Sequence, residues 1–192
     1  MIKQNDPSQN ILQLQQAVAA GDTHAFEQLY LLFYADLHEF AFRIIKSYHI
    51  AEEIVEDVFV QIWKKRSSLP EVRELRVFLY VAVKNLALTY LYKARKEKVC
   101  WIEEFALDSL KSDARRPDEL LEAKEFSAEL QLVINQLPVK CKAVFKLVKE
   151  EGFKYQEAAR LLNLSVKTIE NQMGIALKKI ALGLKLGERL KG

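Results

Sequence analysis

Residues 153–180 read FKYQEAARLLNLSVKTIENQMGIALKKI, a stretch that predicts two short helices joined by a tight turn. Ala158, Ala159 and Leu162 give the first helix a small, apolar face. Asn163 falls where that helix must end in a left-handed residue, a conformation Asn adopts more readily than most L-residues. Ser165 follows as an N-cap, its hydroxyl placed to accept from the backbone amide of Lys167 or Thr168. Ile169, Met173, Ala176 and Ile180 recur at helical spacing and predict an inward face for the second helix. Lys167, Glu170, Asn171, Gly174 and Lys178 fall on its other, polar face. Two helices crossing at small residues over a short turn predict a helix-turn-helix. Its second helix would fit the major groove of duplex DNA. The plainer reading is a helical hairpin whose polar face meets only water.

The 192 residues suffice for one ordinary domain or two small ones. Half of the residues are apolar and only 6 are Gly and 4 Pro, which predicts a folded, helix-rich chain. No apolar run approaches the roughly 20 residues of a membrane span, so no membrane insertion is expected. The opening MIKQNDPSQN has no secretion-signal pattern. Cys100 and Cys141 fit a reducing cytoplasm and no disulfide framework, so the expected location is cytoplasmic. Charge comes in blocks. Residues 60–100 hold 10 Lys and Arg against 3 Asp and Glu, and residues 131–192 hold 12 against 5. Residues 1–59 (3 against 9) and 101–130 (4 against 9) are acidic. Basic blocks on either side of an acidic one predict two polyanion-binding surfaces on two modules, unless the clustering is a chance property of solvated helix faces.

Upstream, residues 9–20 predict a short helix ending at Gly21, with Asp22 as the next N-cap. From Ala25 to Lys46, Phe26, Leu29, Tyr30, Phe33, Leu37, Phe40, Ala41 and Ile44 mark one buried stripe. A third helix is expected from Ala51 to about Arg66, with Ile54, Val55, Val58, Phe59, Ile62 and Trp63 inward and Glu52, Glu53, Glu56, Asp57 and Gln61 mostly outward. Its acidic start and basic end complement the helix dipole, and the same acidic face could equally bind a partner. Ser67–Pro70 interrupts the pattern.

A fourth helix is then expected from Val72 to Lys96, with Val72, Leu75, Leu79, Ala82 and Leu86 inward and Arg73, Arg76, Tyr80 and Lys84 on one exposed stripe. Its end, with Tyr90, Tyr92, Lys93, Arg95 and Lys96, interleaves cations with aromatics. Such a mix suits single-stranded nucleic acid, where cations follow phosphates and rings stack on unpaired bases. The alternative is packed tyrosines and solvated cations. Residues 99–118 read as an interdomain linker. Helical order resumes near Glu119, with Leu130, Val133, Ile134 and Leu137 inward, then a helix over Val139–Glu151 closed by Gly152. The expected fold is therefore all-α, in two helical domains, the C-terminal one a four-helix domain.

In order and spacing, several stretches resemble the extracytoplasmic-function sigma factors of bacterial RNA polymerase. They are GDTHAFEQLYLLFY, AEEIVEDVFVQIWKKRSSL, LRVFLYVAVKNLALTYLYKAR and the run from INQLPVKCKAVFKLVKEEGF through ALKKI. The wording of the last is similar to members found in the Bacteroidetes. The resemblance implies a first domain over 1–98, a linker over 99–118 and a second domain over 119–192. It implies that Glu53, Glu56, Asp57 and Gln61 dock on the β′ coiled coil of core polymerase, and that the β flap is a second contact. For recognising and opening the −10 element it implies Ser67, Ser68, Arg73, Arg76, Tyr80, Lys84, Asn85, Tyr92, Lys93 and Arg95, where the family captures an unpaired base in a pocket. For reading the −35 element as duplex it implies Ser165, Lys167, Thr168, Glu170, Asn171 and Lys178. An anti-sigma factor is a usual partner in the family. Glu170 and Gly174 depart from the basic or larger residues of many relatives, and Asn163 from their turn Gly.

The competing reading is a stand-alone helix-turn-helix regulator that binds an operator as a dimer. An enzyme is not expected: no catalytic residues emerge, with no Ser–His or Cys–His arrangement and no Gly-rich phosphate loop. His24, His38 and His49 have no ligand spacing with either cysteine, so neither a metal nor a cofactor is expected.

Overall fold

The computed structural model describes residues 7–95, Phe105 and 121–191, with side chains over 10–94, at Phe105 and over 127–184. Every regular element among them is helical, and the chain forms two compact units, Met1–Val99 and Cys100–Gly192. Most of the expected linker, and the Arg95 and Lys96 side chains, lie outside the described residues.

In the first unit, α1 (Pro7–Ala19) is followed by α2 (Thr23–Ile45), α3 (Tyr48–Lys64), a 3₁₀ helix (Arg66–Glu71) and α4 (Leu75–Arg95). Gly21 turns the chain with φ +93°, and Asp22 then caps α2, its carboxylate accepting from the amides of His24 at 2.9 Å and Ala25 at 3.0 Å. Both features follow from the local sequence. The α2 stripe is buried at Leu29, Phe33, Leu37, Phe40, Ala41 and Ile44 and packs against α3 and α4, while Phe26 and Tyr30 remain partly exposed. Arg43 is also buried, its Nε 3.4 Å from the Glu39 carboxylate one turn back. Helix α3 begins at Tyr48 rather than Ala51, because the Ser47 carbonyl already accepts from the Ala51 amide at 3.0 Å.

The fourth helix corrects the expected stripe. It begins at Leu75, after the 3₁₀ helix, and buries Leu75, Val77, Leu79, Tyr80, Val83, Ala87 and Leu91. Tyr80, expected on the exposed face, is 0% exposed. Its ring lies 4.8 Å from that of Phe40, and the Arg76 guanidinium sits 5.4 Å over it. The physical reason is that α4 packs against both α2 and α3, so a wide arc of it is covered. Val72, Ala82 and Leu86, expected inward, are only half-buried.

The second unit contains α5 (Leu121–Asn135), α6 (Val139–Phe145), a π turn (Lys146–Glu150), α7 (Tyr155–Leu162) and α8 (Val166–Lys191). The helix expected over Val139–Glu151 thus changes character at Lys146, where the Glu151 amide donates to the Lys146 carbonyl at 3.0 Å. Gly152, at φ +68°, lets the Phe153 amide reach back to the Leu147 carbonyl at 2.9 Å. Ile134, Leu137, Cys141, Ala176 and Ile180 form a buried cluster joining α5, α6 and α8. Helices α5 and α8 approach closely at Gly183, where a Cβ would come within 2.5 Å of a Val133 methyl. Lys146 is fully buried, its Nζ donating to the carbonyl of Phe105 at 3.2 Å. Phe105 is itself buried, so this one described residue of the expected linker is packed within the second unit.

Candidate nucleic-acid interface

The second unit presents an exposed polar helix face. Asn163 ends α7 at φ 55°, ψ 47°, the left-handed geometry its side chain tolerates. The Lys154 amide donates to the Glu157 carboxylate at 2.6 Å and closes the other end of α7. The Thr168 amide donates to the Ser165 hydroxyl at 3.0 Å, and the two hydroxyls lie 2.8 Å apart. Ser165 and Thr168 are therefore engaged in capping α8. Ile169, Met173, Ala176 and Ile180 are buried, fixing the rotation of α8. That rotation leaves Lys167, Glu170, Asn171 and Lys178 exposed along one ridge. Lys167, 77% exposed, pairs with Glu170 at 3.3 Å, a surface pair that water and salt weaken readily. Gly174 has open space around its Cα. Gln172 reaches the core side, where its Oε1 accepts from the Cys141 thiol at 2.9 Å. Burial pushes that thiol above its ordinary pKa.

The first unit presents recesses. The exposed ridge of α3 borders three of them. Glu56 lines a groove of about 380 Å³ with Phe26, Tyr30, Phe59 and Trp63. Burial, and then the neighbouring Tyr34, Glu56 and Glu52, holds the Tyr30 phenol above its usual pKa. Glu53 and Asp57 line a smaller recess of about 180 Å³ with Tyr90 and Lys93 of α4. Glu53 also pairs with exposed His49 at 3.4 Å. Gln61 lines a third cavity, of about 250 Å³, with Lys65, Ser68, Val58, Ile62, Leu69, Val72, Phe78 and Ala82. Its walls are mainly apolar, its polar groups are an amide, a hydroxyl and an ammonium, and Phe78 at its edge is 45% exposed. That combination suits a flat heteroaromatic ring with polar edges, because apolar walls and a ring face offer stacking while the polar groups meet the base edge.

The residues predicted for single-stranded DNA are not all brought together. Ser68 lines the α3–α4 cavity beside the 3₁₀ helix, whereas Lys93 lines the recess near the other end of α4. From position 78 to position 93 the helix advances roughly 22 Å. Ser67, Arg73, Asn85 and Tyr92 are exposed, and Arg76 and Lys84 half-buried. Burial lowers the Lys84 pKa below the ordinary lysine value. Phe78 and Lys65 are the residues sequence reasoning passed over. An exposed Phe in a helix whose apolar residues run round most of its circumference has no distinctive spacing, and only the 3₁₀ helix folded beside it reveals the recess.

Residues 29–97 match the family described as Sigma-70 region 2, and residues 127–180 match Sigma-70, region 4. The chain is 23% identical to the ECF RNA polymerase sigma factor SigW of Bacillus subtilis over 162 residues, covering 81% of this chain and 87% of SigW. The chain belongs to the extracytoplasmic-function sigma factors.

As a sigma factor it works with core RNA polymerase and promoter DNA to direct promoter-specific transcription. The same fold occurs in CnrH, solved in complex with the cytosolic domain of CnrY, at 24% identity and a TM-score of 0.55, covering 91% of this chain and 97% of that one. It occurs also in RpoE from Bartonella quintana, solved with the anti-sigma factor NepR, at 22% identity and a TM-score of 0.53, covering 83% of this chain and 96% of that one. The region 2 match takes in α3, the 3₁₀ helix and α4, which a stand-alone operator-binding regulator does not need, so the reading as such a regulator is the less supported one. No helix among the described residues is long and apolar enough to cross a membrane.

Proposed function

We propose that the two units of this sigma factor divide promoter recognition by the physical state of the DNA. The unit built on residues 1–98 binds the −10 strand once it is unpaired, and the unit built on 119–192 reads the −35 element as duplex, with 99–118 joining them. Glu53, Glu56, Asp57 and Gln61 meet the β′ coiled coil of core polymerase, and the second unit meets the β flap. Ser67, Ser68, Arg73, Arg76, Lys84, Asn85, Tyr92, Lys93 and Arg95 serve the −10 strand. Tyr80, being buried, supports α4 from within instead of touching DNA. Lys167, Glu170, Asn171 and Lys178 face the −35 groove, positioned by the Ser165–Thr168 cap. The protein acts in the cytoplasm without catalytic chemistry of its own and is restrained by an anti-sigma factor; RpoE from Bartonella quintana is solved in complex with one.

The observation that supports this division is the contrast in shape: an exposed polar ridge on α8 against an apolar-walled recess between α3 and α4. Splitting recognition between two modest sites makes tight binding depend on a scaffold that holds both. Joint engagement can exceed either affinity by roughly 10²–10⁴. Run-off transcription with purified core polymerase tests the reading, alongside gel shifts with and without core. Promoter-dependent transcripts and weak binding by the free chain are expected. Equally tight, promoter-specific binding without core would overturn it.

A further inference from the structure

Gln15 on α1 is one of the few buried polar residues among the described residues of the first unit, at 3% exposure. Its side-chain amide nitrogen donates to two backbone carbonyls, Leu69 at 2.7 Å and Val72 at 2.9 Å. These carbonyls flank the end of the 3₁₀ helix Arg66–Glu71. A helix end leaves carbonyls without intrahelical donors. Val72 departs into extended backbone at ψ 100°, its own amide donating to Leu69 at 3.1 Å. Pro70 has no N–H with which to continue a ladder. A Gln amide carries two N–H groups on one nitrogen and can serve two acceptors at once. Leu69 and Val72 both line the 250 Å³ cavity with Ser68 and Phe78, whereas Gln15 does not line it.

We propose that Gln15 is a positioning residue for −10 recognition: by holding the carbonyls of Leu69 and Val72 it fixes the wall of the cavity that receives an unpaired base. This rests on the reading that the α3–α4 cavity takes that base. Helix α1 thereby contributes to base selection without touching DNA. Hydrogen bonds that span 54 and 57 positions of sequence tie the 3₁₀ helix to a distant element. Without them the segment between α3 and α4 keeps its sequence but loses its fixed register against α1. A cavity with a movable wall accepts several bases with similar affinity, because discrimination needs polar groups held in place.

The test is transcription by holoenzyme, assembled from core polymerase and the full chain, on template libraries randomised separately over the −10 and −35 positions. Gln15→Met keeps the length of the side chain and removes both donors. The preference at the most strongly selected −10 base is expected to fall about tenfold, while −35 preference and core affinity stay at wild-type levels. An unchanged −10 preference in a folded Gln15→Met chain overturns the inference. So does a parallel loss at −10, −35 and core binding, which would mark Gln15 as merely structural. If that variant does not fold, Gln15→Asn, one methylene shorter, gives the same readout, and a retained −10 preference again overturns the inference. If wild-type holoenzyme has no −10 preference and Phe78→Ala changes nothing, the reading of the cavity fails and the inference with it. If wild type and Gln15→Met share a preference that Phe78→Ala abolishes, only the role of Gln15 falls.

Discussion

The ridge of α8 is polar and exposed along Lys167, Glu170, Asn171 and Lys178, whereas the recess between α3 and α4 is concave and walled by Val58, Ile62, Leu69 and Phe78. Each shape answers a different ligand. Paired bases keep their faces stacked and offer only edges at the floor of a groove, which a projecting helix can reach. An unpaired base exposes a wide apolar face that gains by leaving water, which a recess provides. The ridge also comes from one continuous stretch of chain, while the recess is assembled from α3, the 3₁₀ helix and α4, with α1 bracing the middle piece. A ridge of that kind tolerates substitution of a single contact; a recess depends on all of its walls.

The comparison breaks most readily at the shared ridge of α3. Reversing both Glu53 and Asp57 to Lys should weaken core binding by about 30- to 100-fold, since it sets like charge against the partner surface. An anisotropy titration with core polymerase measures this, and unchanged affinity would assign that face to solvent. Next, Phe78→Ala should reduce open-complex formation by about tenfold, the loss of one stacking platform. Because the ring is half in water, the melting temperature should barely move. A full loss of stability with it would mean that Phe78 belongs to the core.

Smaller effects test the ridge. Lys167→Glu or Lys178→Glu should weaken −35 duplex binding several-fold, and each lost phosphate contact should flatten the slope of log K against log salt by about 0.9. A slope identical to wild type would remove that lysine from the interface. The smallest change is Gly174→Ala, which fills open space on α8 and should stabilise the second unit by about 1 kcal/mol. A higher melting temperature accompanied by weaker −35 binding would identify Gly174 as a place where DNA approaches the backbone. A rise with unaltered binding would leave it outside the contact.

Sequence was most informative where the determinants are local. The left-handed Asn163, the Ser165 cap and the buried series Ile169, Met173, Ala176 and Ile180 all lie within one stretch, so helical spacing alone fixes which face of α8 turns outward. The Asp22 cap of α2 was legible for the same reason. Helix α4 was misread because its apolar residues cover most of its circumference. With α2 on one side and α3 on another, spacing cannot say whether Tyr80 faces out, and the helix begins at Leu75 instead of Val72. The recess was hidden more deeply still. It requires Gln61, Ser68 and Phe78 to meet around a 3₁₀ helix pinned by Gln15, and no periodicity connects those positions.

The π turn at Lys146–Glu150 makes the second unit unequally forgiving of changes in chain length. A π turn holds one residue more than an α turn, and each residue of an α-helix rotates the next by about 100°. Losing one residue there could relax the segment to ordinary α-helix while Gly152 still reverses the chain. The same loss between Lys167 and Lys178 would swing half of the ridge to another bearing. Insertions and deletions should therefore gather at the π turn in descendants of this gene and be purged from α8.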